Sequence, residues 1–285
     1  MVPTLCVRLP GGGSGRLQQF GAFMDFISHI NPLYSLSGLV VGILVGLTGV
    51  GGGSLMTPLL VLLFHIHPTT AVGTDLLYAS ATKTVGTGVH GSKGTVQWGI
   101  VGRLALGSVP ATAITLWFIS QQGKHADTGH SVITVVLGWA LLATAIAILF
   151  RKTIVAFFAS RSADLEPGQV TILTVTLGVV LGVLVSLTSV GAGAIGMTVL
   201  LILYPKRDVA QLVGSDIAHA VPLTLLAGLG HWMMGSVDWM LLVSLLVGSI
   251  PGIIGGSLLG ARAPDGVLRP ILAGVLVLVG AKLLT

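Results

Sequence analysis

Apolar residues gather into eight long zones along the chain, at approximately 33 to 64, 71 to 90, 96 to 119, 131 to 150, 169 to 204, 208 to 232, 237 to 260 and 266 to 284. A helix needs about 20 apolar residues to cross a hydrocarbon core of about 30 Å. The pattern therefore predicts an all-α polytopic membrane protein of about eight transmembrane segments. The first zone is too long for one straight span, because at 1.5 Å of rise per residue it would measure roughly 48 Å. It is interrupted by Gly49-Val50-Gly51-Gly52-Gly53. Glycine costs about 1 kcal/mol in a helix interior relative to alanine, so this run marks where the helix unwinds. Unwound backbone at membrane depth is tolerated only where it is buried in protein or lines a wet cavity. Its free amides, with the positive end of the half-helix that starts at Ser54, predict an anion site. The same interruption recurs at Ser189-Val190-Gly191-Ala192-Gly193.

The eight zones fall into two sets of four, and the sets can be laid on each other. Gly38, Gly42, Leu47, Thr48, Val50, Gly51 and Gly53 match Gly178, Gly182, Leu187, Thr188, Val190, Gly191 and Gly193, each 140 positions on. After one inserted residue, Gly73, Asp75, His90, Gly94, Val96, Trp98, Gly107 and Pro110 match Gly214, Asp216, His231, Gly235, Val237, Trp239, Gly248 and Pro251, each 141 on. Shared greasiness does not produce matched aspartate, histidine, tryptophan and proline, so the reading is an internal duplication. It divides the chain into a glycine-rich tail at 1–32, a first transmembrane repeat at 33–150, a basic cytoplasmic linker at 151–168 and a second repeat at 169–285. Broken helices in duplicated halves fit the transporter plan in which a site lies between repeats near the midplane. If each broken segment crosses once the repeats are parallel, and if it returns as a hairpin they are inverted. Both remain open at this level.

Composition narrows the class. Charged residues make up 8 % and strongly apolar ones 53 % of the 285, which excludes a water-soluble globule. The lipid bilayer is therefore the first partner. The formal charge of +5 sits mostly in loops and reads as topology signal, not as a nucleic-acid surface. A single cysteine, Cys6, excludes an internal disulfide. Glycines at four-residue spacing, Gly38, Gly42, Gly46 and Gly248, Gly252, Gly256, Gly260, predict close-packed helix seams.

The stretch from Gly38 through Gly-Leu-Thr-Gly-Val-Gly-Gly-Gly-Ser54, the following Ala71-Val-Gly-Thr-Asp75, and their echoes Leu187-Thr-Ser-Val-Gly-Ala-Gly193 and Val213-Gly-Ser-Asp216 resemble the sulfite exporter TauE/SafE family of bacterial membrane proteins. The likeness runs from about residue 35 to the end. It implies secondary transport of sulfite or another sulfur-containing organic anion across the bacterial inner (plasma) membrane. Ala192 and Ala194 depart from the fuller glycine run of the first half, which leaves open whether both half-sites bind substrate.

On this reading the amides and side chains of Gly51, Gly52, Gly53, Ser54 and Thr57, with Gly191, Ala192, Gly193 and Ala194, are the substrate-binding candidates. Asp75 and Asp216, near the starts of corresponding zones, are costly in lipid unless they face a cavity or a partner. The plainer reading is that each caps its helix or ties it to the broken one. His219 lies three residues after Asp216 and could exchange a proton with it near neutral pH, which makes that pair the best candidate for proton coupling. Lys83, two turns from Asp75, could attract an anion or snorkel to the interface. His90 and His231, at matching zone ends, are candidate gates or interfacial anchors. His65 and His67 do not share a helix face and have no further ligand nearby, so they mark a helix end and no metal is expected. No cofactor motif is present. The expectation is an alternating-access transporter of a small anion, with protons as the candidate coupling ion and a homo-oligomer left open. The rivals are an anion channel and, more weakly, a membrane-embedded enzyme, for which no nucleophile and base stand at a recognisable spacing.

Overall fold

A computed structural model describes residues 31–48, 53–122, 132–162, 165–259 and 265–285. The described residues form helices and short turns, without a strand. In chain order these are α1 (Pro32–Thr48), α2 (Gly53–Leu62), α3 (Pro68–Ser92), α4 (Trp98–Gln122), α5 (Val132–Leu149), α6 (Arg151–Ser162), α7 (Pro167–Thr188), a π-helical turn (Ala192–Gly196), α8 (Met197–Leu203), α9 (Val209–Met233), α10 (Trp239–Leu259) and α11 (Asp265–Leu284). Four of them, α4, α7, α9 and α10, are long and apolar enough to cross a membrane, and α5 with α6 adds a fifth if that pair, bent by 72°, counts as one span. Helix α3 has 25 residues but is diluted by Thr74, Asp75, Thr82, Lys83, Thr84 and Thr87. It avoids lipid by lying in the middle of the bundle, where the first three of those residues and Lys83 are buried.

Local chemistry sets the helix ends. Proline stands at the first position of α1, α3 and α7, where its missing N–H costs nothing. Asn31 Oδ1 accepts the Leu33 amide at 3.0 Å to cap α1, and Glu166 and Gln169 close a reciprocal capping box on α7. At the end of α2, His65 takes a left-handed conformation (φ 55°), and the Ile66 amide reaches back to the Leu60 carbonyl at 3.1 Å. The left-handed His65 thus ends the helix and turns the chain toward α3.

The two broken segments double back. Tyr34, at the start of α1, meets Phe64, just past α2, edge to face with ring centroids 4.7 Å apart. In the second half, Thr174 in α7 and Tyr204, just past α8, are hydrogen-bonded at 2.8 Å. Both pairs are 30 residues apart in sequence. The two ends of each interrupted stretch therefore lie close together, as they do in a hairpin.

Close seams hold the hairpins. A Cβ built on Gly38 would lie 2.1 Å from the Leu245 carbonyl oxygen, and one on Gly248 would lie 1.7 Å from that of Ser35. Contacts continue through Gly42 against Ser249 and Gly46 against Ser257, so α1 and α10 run parallel with their backbones touching. In the same way Gly178 meets the Leu104 carbonyl and Gly107 that of Val175, which joins α7 to α4, again in parallel. Between these pairs α3 and α9 pack antiparallel, with Gly73 against the Ser236 carbonyl beyond α9 and Gly214 against that of Thr95 beyond α3. Following chain directions from α3 to its neighbours, α1 and α7 cross the bundle in opposite senses.

Candidate functional site

The site is built where α3 and α9 cross between the two hairpins. Thr57, buried in the second turn of α2, donates its amide to Asp75 Oδ2 at 3.2 Å and its hydroxyl to the same oxygen at 2.5 Å. Thr57 thus gives both its amide and its hydroxyl hydrogen to Asp75. Asp75 does tie its helix to the broken segment, as the plainer reading of it expects. Its other oxygen, Oδ1, is buried without a hydrogen bond, and so is the hydroxyl of Ser189, which faces it from the second break.

Asp216, in the corresponding place on α9, meets the second break differently. It lies against the π-helical turn, where a Cβ on Gly196 would come 2.9 Å from Asp216 Oδ1. That oxygen too is buried without a partner. Lys83 is also buried, and its ammonium interacts electrostatically with Asp216 most strongly and with Asp75 next. Lys83 makes no ion pair with either carboxylate, so the three charged groups share the α3–α9 interior without being bonded to one another.

The break itself is visible in the second half. Ser189 adopts a left-handed conformation (φ 58°) and Gly191 has φ 117°, which favours glycine at that position. The Val190 amide is taken by Thr188 Oγ1 at 3.1 Å, and the Ile195 and Gly196 amides both return to the Gly191 carbonyl at 3.0 and 3.1 Å. Among the described residues, no backbone acceptor takes the amides of Gly191, Ala192, Gly193 or Ala194. Helix α2 packs against this turn, so the two interrupted segments meet. Gly51 and Gly52 lie outside the described residues, Gly53 opens α2 and Ser54 falls in its first turn.

The histidines separate by use. His219 Nε2 pairs with Ser108 Oγ of α4 at 2.9 Å and its Nδ1 has no partner. It is not hydrogen-bonded to Asp216: three residues along a helix leave side chains about 60° apart around the axis, and Ser108 claims the ring. His231 is buried and its Nε2 donates to the Ser186 carbonyl at 2.9 Å, fastening the end of α9 to α7. His90, at the matching end of α3, is half-buried and pairs with Thr95 Oγ1 at 3.1 Å within its own turn. The two histidines thus hold different things in place.

Sequence reading missed Ser108, Ser249, Ser189 and Gly196. The first two carried a usable signal. Ser249 lies 141 positions after Ser108, the offset that relates the two halves, and bonds Thr82 of α3 at 2.7 Å as Ser108 bonds His219 of α9. The Tyr78 hydroxyl reaches toward Ser249 but has no hydrogen bond. The crossing thus holds at least five buried polar atoms without partners, on Asp75, Tyr78, Ser189, Asp216 and His219. Such a concentration is expensive unless water or a ligand joins it.

A family model described as sulfite exporter TauE/SafE matches residues 34–283, from the first turn of α1 to the end of α11. The chain belongs to the sulfite exporter TauE/SafE family. Among its TauE/SafE relatives, the probable membrane transporter protein YjnA of Bacillus subtilis is 39 % identical over 250 residues, covering 87 % of this chain and 98 % of its own. YdhB of the same organism, also a probable membrane transporter protein, is 30 % identical and covers 84 % and 96 %. A third, MJ0441 of Methanocaldococcus jannaschii, is 27 % identical over 73 % of this chain and 74 % of its own. No solved structure matches the chain. These TauE/SafE relatives are probable membrane transporters, not enzymes.

Proposed function

We propose that this TauE/SafE protein is a secondary transporter that moves a small sulfur-containing anion, of the sulfite or organosulfonate class, across the bacterial inner membrane by alternating access with coupled proton movement. The observation that carries the reading is the burial of Lys83, Asp75 and Asp216 together, with the lysine close enough to feel both carboxylates. With both carboxylates ionised, the lysine is more than neutralised and an anion is repelled. Protonating one carboxylate leaves the ammonium free to attract it. Proton and anion then bind cooperatively, each raising the affinity of the other by the same factor. The Gly191–Ala194 amides, which no described backbone acceptor takes, supply fixed dipoles that favour an anion without adding a mobile charge.

Opposite crossing senses of α1 and α7, with matched residues at a constant offset, support two inverted four-segment repeats in a plan of eight hydrophobic zones. Inverted repeats exchange conformations when one rocks against the other, so a site between them opens alternately to each side. The face that bears Lys93, Arg103, Arg151, Lys152, Lys206 and Arg207 is cytoplasmic by its excess of basic residues. The test is uptake of radiolabelled sulfite and sulfonates into proteoliposomes. Saturable uptake that an imposed pH gradient accelerates supports the reading, whereas flux that never saturates and follows voltage alone makes the protein a channel.

A further inference from the structure

On the face where α7 begins and α8 ends lies a cavity of about 270 Å³ that no residue of α3 or α9 lines. Its walls are Arg103 of α4, Pro167 and Val170 of α7, and Tyr204, Lys206 and Arg207 of the turn after α8. At about 30 Å³ per water, it has room for roughly nine waters or a polar group of that bulk. Three of its walls are cationic and none is acidic. Asp208 follows Arg207 in sequence but does not line the cavity, and among the described residues no carboxylate makes an ion pair with Arg103, Lys206 or Arg207.

A directed chain of hydrogen bonds holds Arg103 in place. Thr174 gives its only hydroxyl hydrogen to the Val170 carbonyl at 2.6 Å. At 2.8 Å from Tyr204 Oη it must therefore accept from the tyrosine. The tyrosine oxygen is left to accept from Arg103 Nη1, at 3.3 Å. The guanidinium is thus oriented by neutral partners and keeps its charge and its other donors for the cavity, a preorganised fork of the kind that matches phosphate oxygens.

Position indicates the source of the phosphate. Arg103 lies about 7.5 Å along α4 from Trp98, a 66 %-exposed residue of the interfacial aromatic belt. About one turn on from Arg103 and from Val170, deeper along their helices, Leu106 and Leu173 are 71 % and 42 % exposed and turn toward the lipid. The cationic cavity thus continues into an apolar strip at headgroup depth. We propose that it binds a phosphate group carried by an anionic phospholipid of the cytoplasmic leaflet, with the first acyl carbons lying along Leu106 and Leu173. A headgroup there would brace α4, α7 and the end of α8 together, and so would hold the base of the second hairpin.

The test titrates the purified full-length protein in detergent with phosphatidylglycerol, phosphatidylcholine and inorganic phosphate, counting bound lipid by native mass spectrometry. Phosphatidylglycerol should bind more tightly than phosphatidylcholine. The double variant Lys206→Gln/Arg207→Gln, altered only at exposed turn positions, should lose about 25-fold in affinity for it, or about fivefold per charge, with phosphatidylcholine binding unchanged. Arg103→Gln should lose a similar factor. Equal binding of the two lipids, wild-type affinity in the double variant, or displacement of phosphatidylglycerol by an equal concentration of inorganic phosphate would each overturn the proposal, the last by making a solution anion the ligand.

Discussion

Thr57 gives both its amide and its hydroxyl to one oxygen of Asp75, at 3.2 and 2.5 Å, and so fastens the half-helix α2 to the middle of α3. Both partners are fully buried. Asp216, the matching carboxylate, has no such clamp among the described residues and instead touches the π-helical turn at Gly196. One carboxylate is clamped by a threonine and the other is not.

Replacing Thr57 with valine keeps the shape but removes the hydroxyl donor from a buried carboxylate. A charge-assisted bond of this kind contributes about 1.5–3 kcal/mol. The variant should unfold at lower temperature in detergent, and Thr57→Ser should restore most of the loss. If valine is neutral, Thr57 does not hold Asp75 in the way described.

Glycine seams give a prediction with its own control. Gly248→Ala puts a methyl group 1.7 Å from the Ser35 carbonyl oxygen, and Gly38→Ala puts one 2.1 Å from that of Leu245. Backbone must move in both cases, and overpacking costs about 1–3 kcal/mol or more. A Cβ at Gly88 or Gly255 meets nothing within 4 Å, so alanine there should leave stability unchanged or raise it by up to about 1 kcal/mol, the helix-propensity difference. Melting temperatures of the four variants in detergent check this.

Returning hairpins predict which loops share a face. In a Cys6→Ser background, single cysteines at His67, between α2 and α3, and at Arg207, between α8 and α9, should lie on opposite sides of the membrane. A membrane-impermeant thiol reagent added to right-side-out vesicles should then label His67→Cys and spare Arg207→Cys. Labelling of both from one side would mean that the broken segments pass straight through.

Much of this architecture was legible in the residues, and what was not has a physical reason. Helical membrane character, the second break and the glycine seams follow from local composition and spacing, which is where apolar length and backbone cost act. The constant offset also marked equivalent loops: the Gln97 amide donates to Ser215 Oγ at 2.9 Å, as the Asp238 amide donates to Thr74 Oγ1 at 3.0 Å, and the members of these pairs are 141 positions apart. The return of each broken segment was not legible, since it is decided by Tyr34 meeting Phe64 and Thr174 meeting Tyr204, and local hydrophobic pattern does not encode contacts at that separation. His219 pairing with Ser108, 111 residues away, was hidden for the same reason. Spacing along one helix pointed to Asp216, but a neighbouring helix supplied the nearer oxygen.

Lys83→Gln removes the buried cation that Asp216 and Asp75 both feel. Anion binding by the purified protein should weaken by at least about tenfold, equivalent to about 1.4 kcal/mol. The remaining carboxylates should make the loss larger as pH rises, because ionised aspartates without Lys83 repel the anion. Isothermal titration at two pH values measures both effects.

The most direct test of coupled transport reads the pH inside proteoliposomes while a sulfonate enters, since a sulfonate brings no titratable proton of its own near neutral pH. Wild-type protein should change the lumenal pH in step with uptake, and the Asp75→Asn/Asp216→Asn variant, which cannot exchange protons at the α3–α9 crossing, should not. Wild-type uptake without a pH change, or an equal pH change in the double variant, would contradict the account.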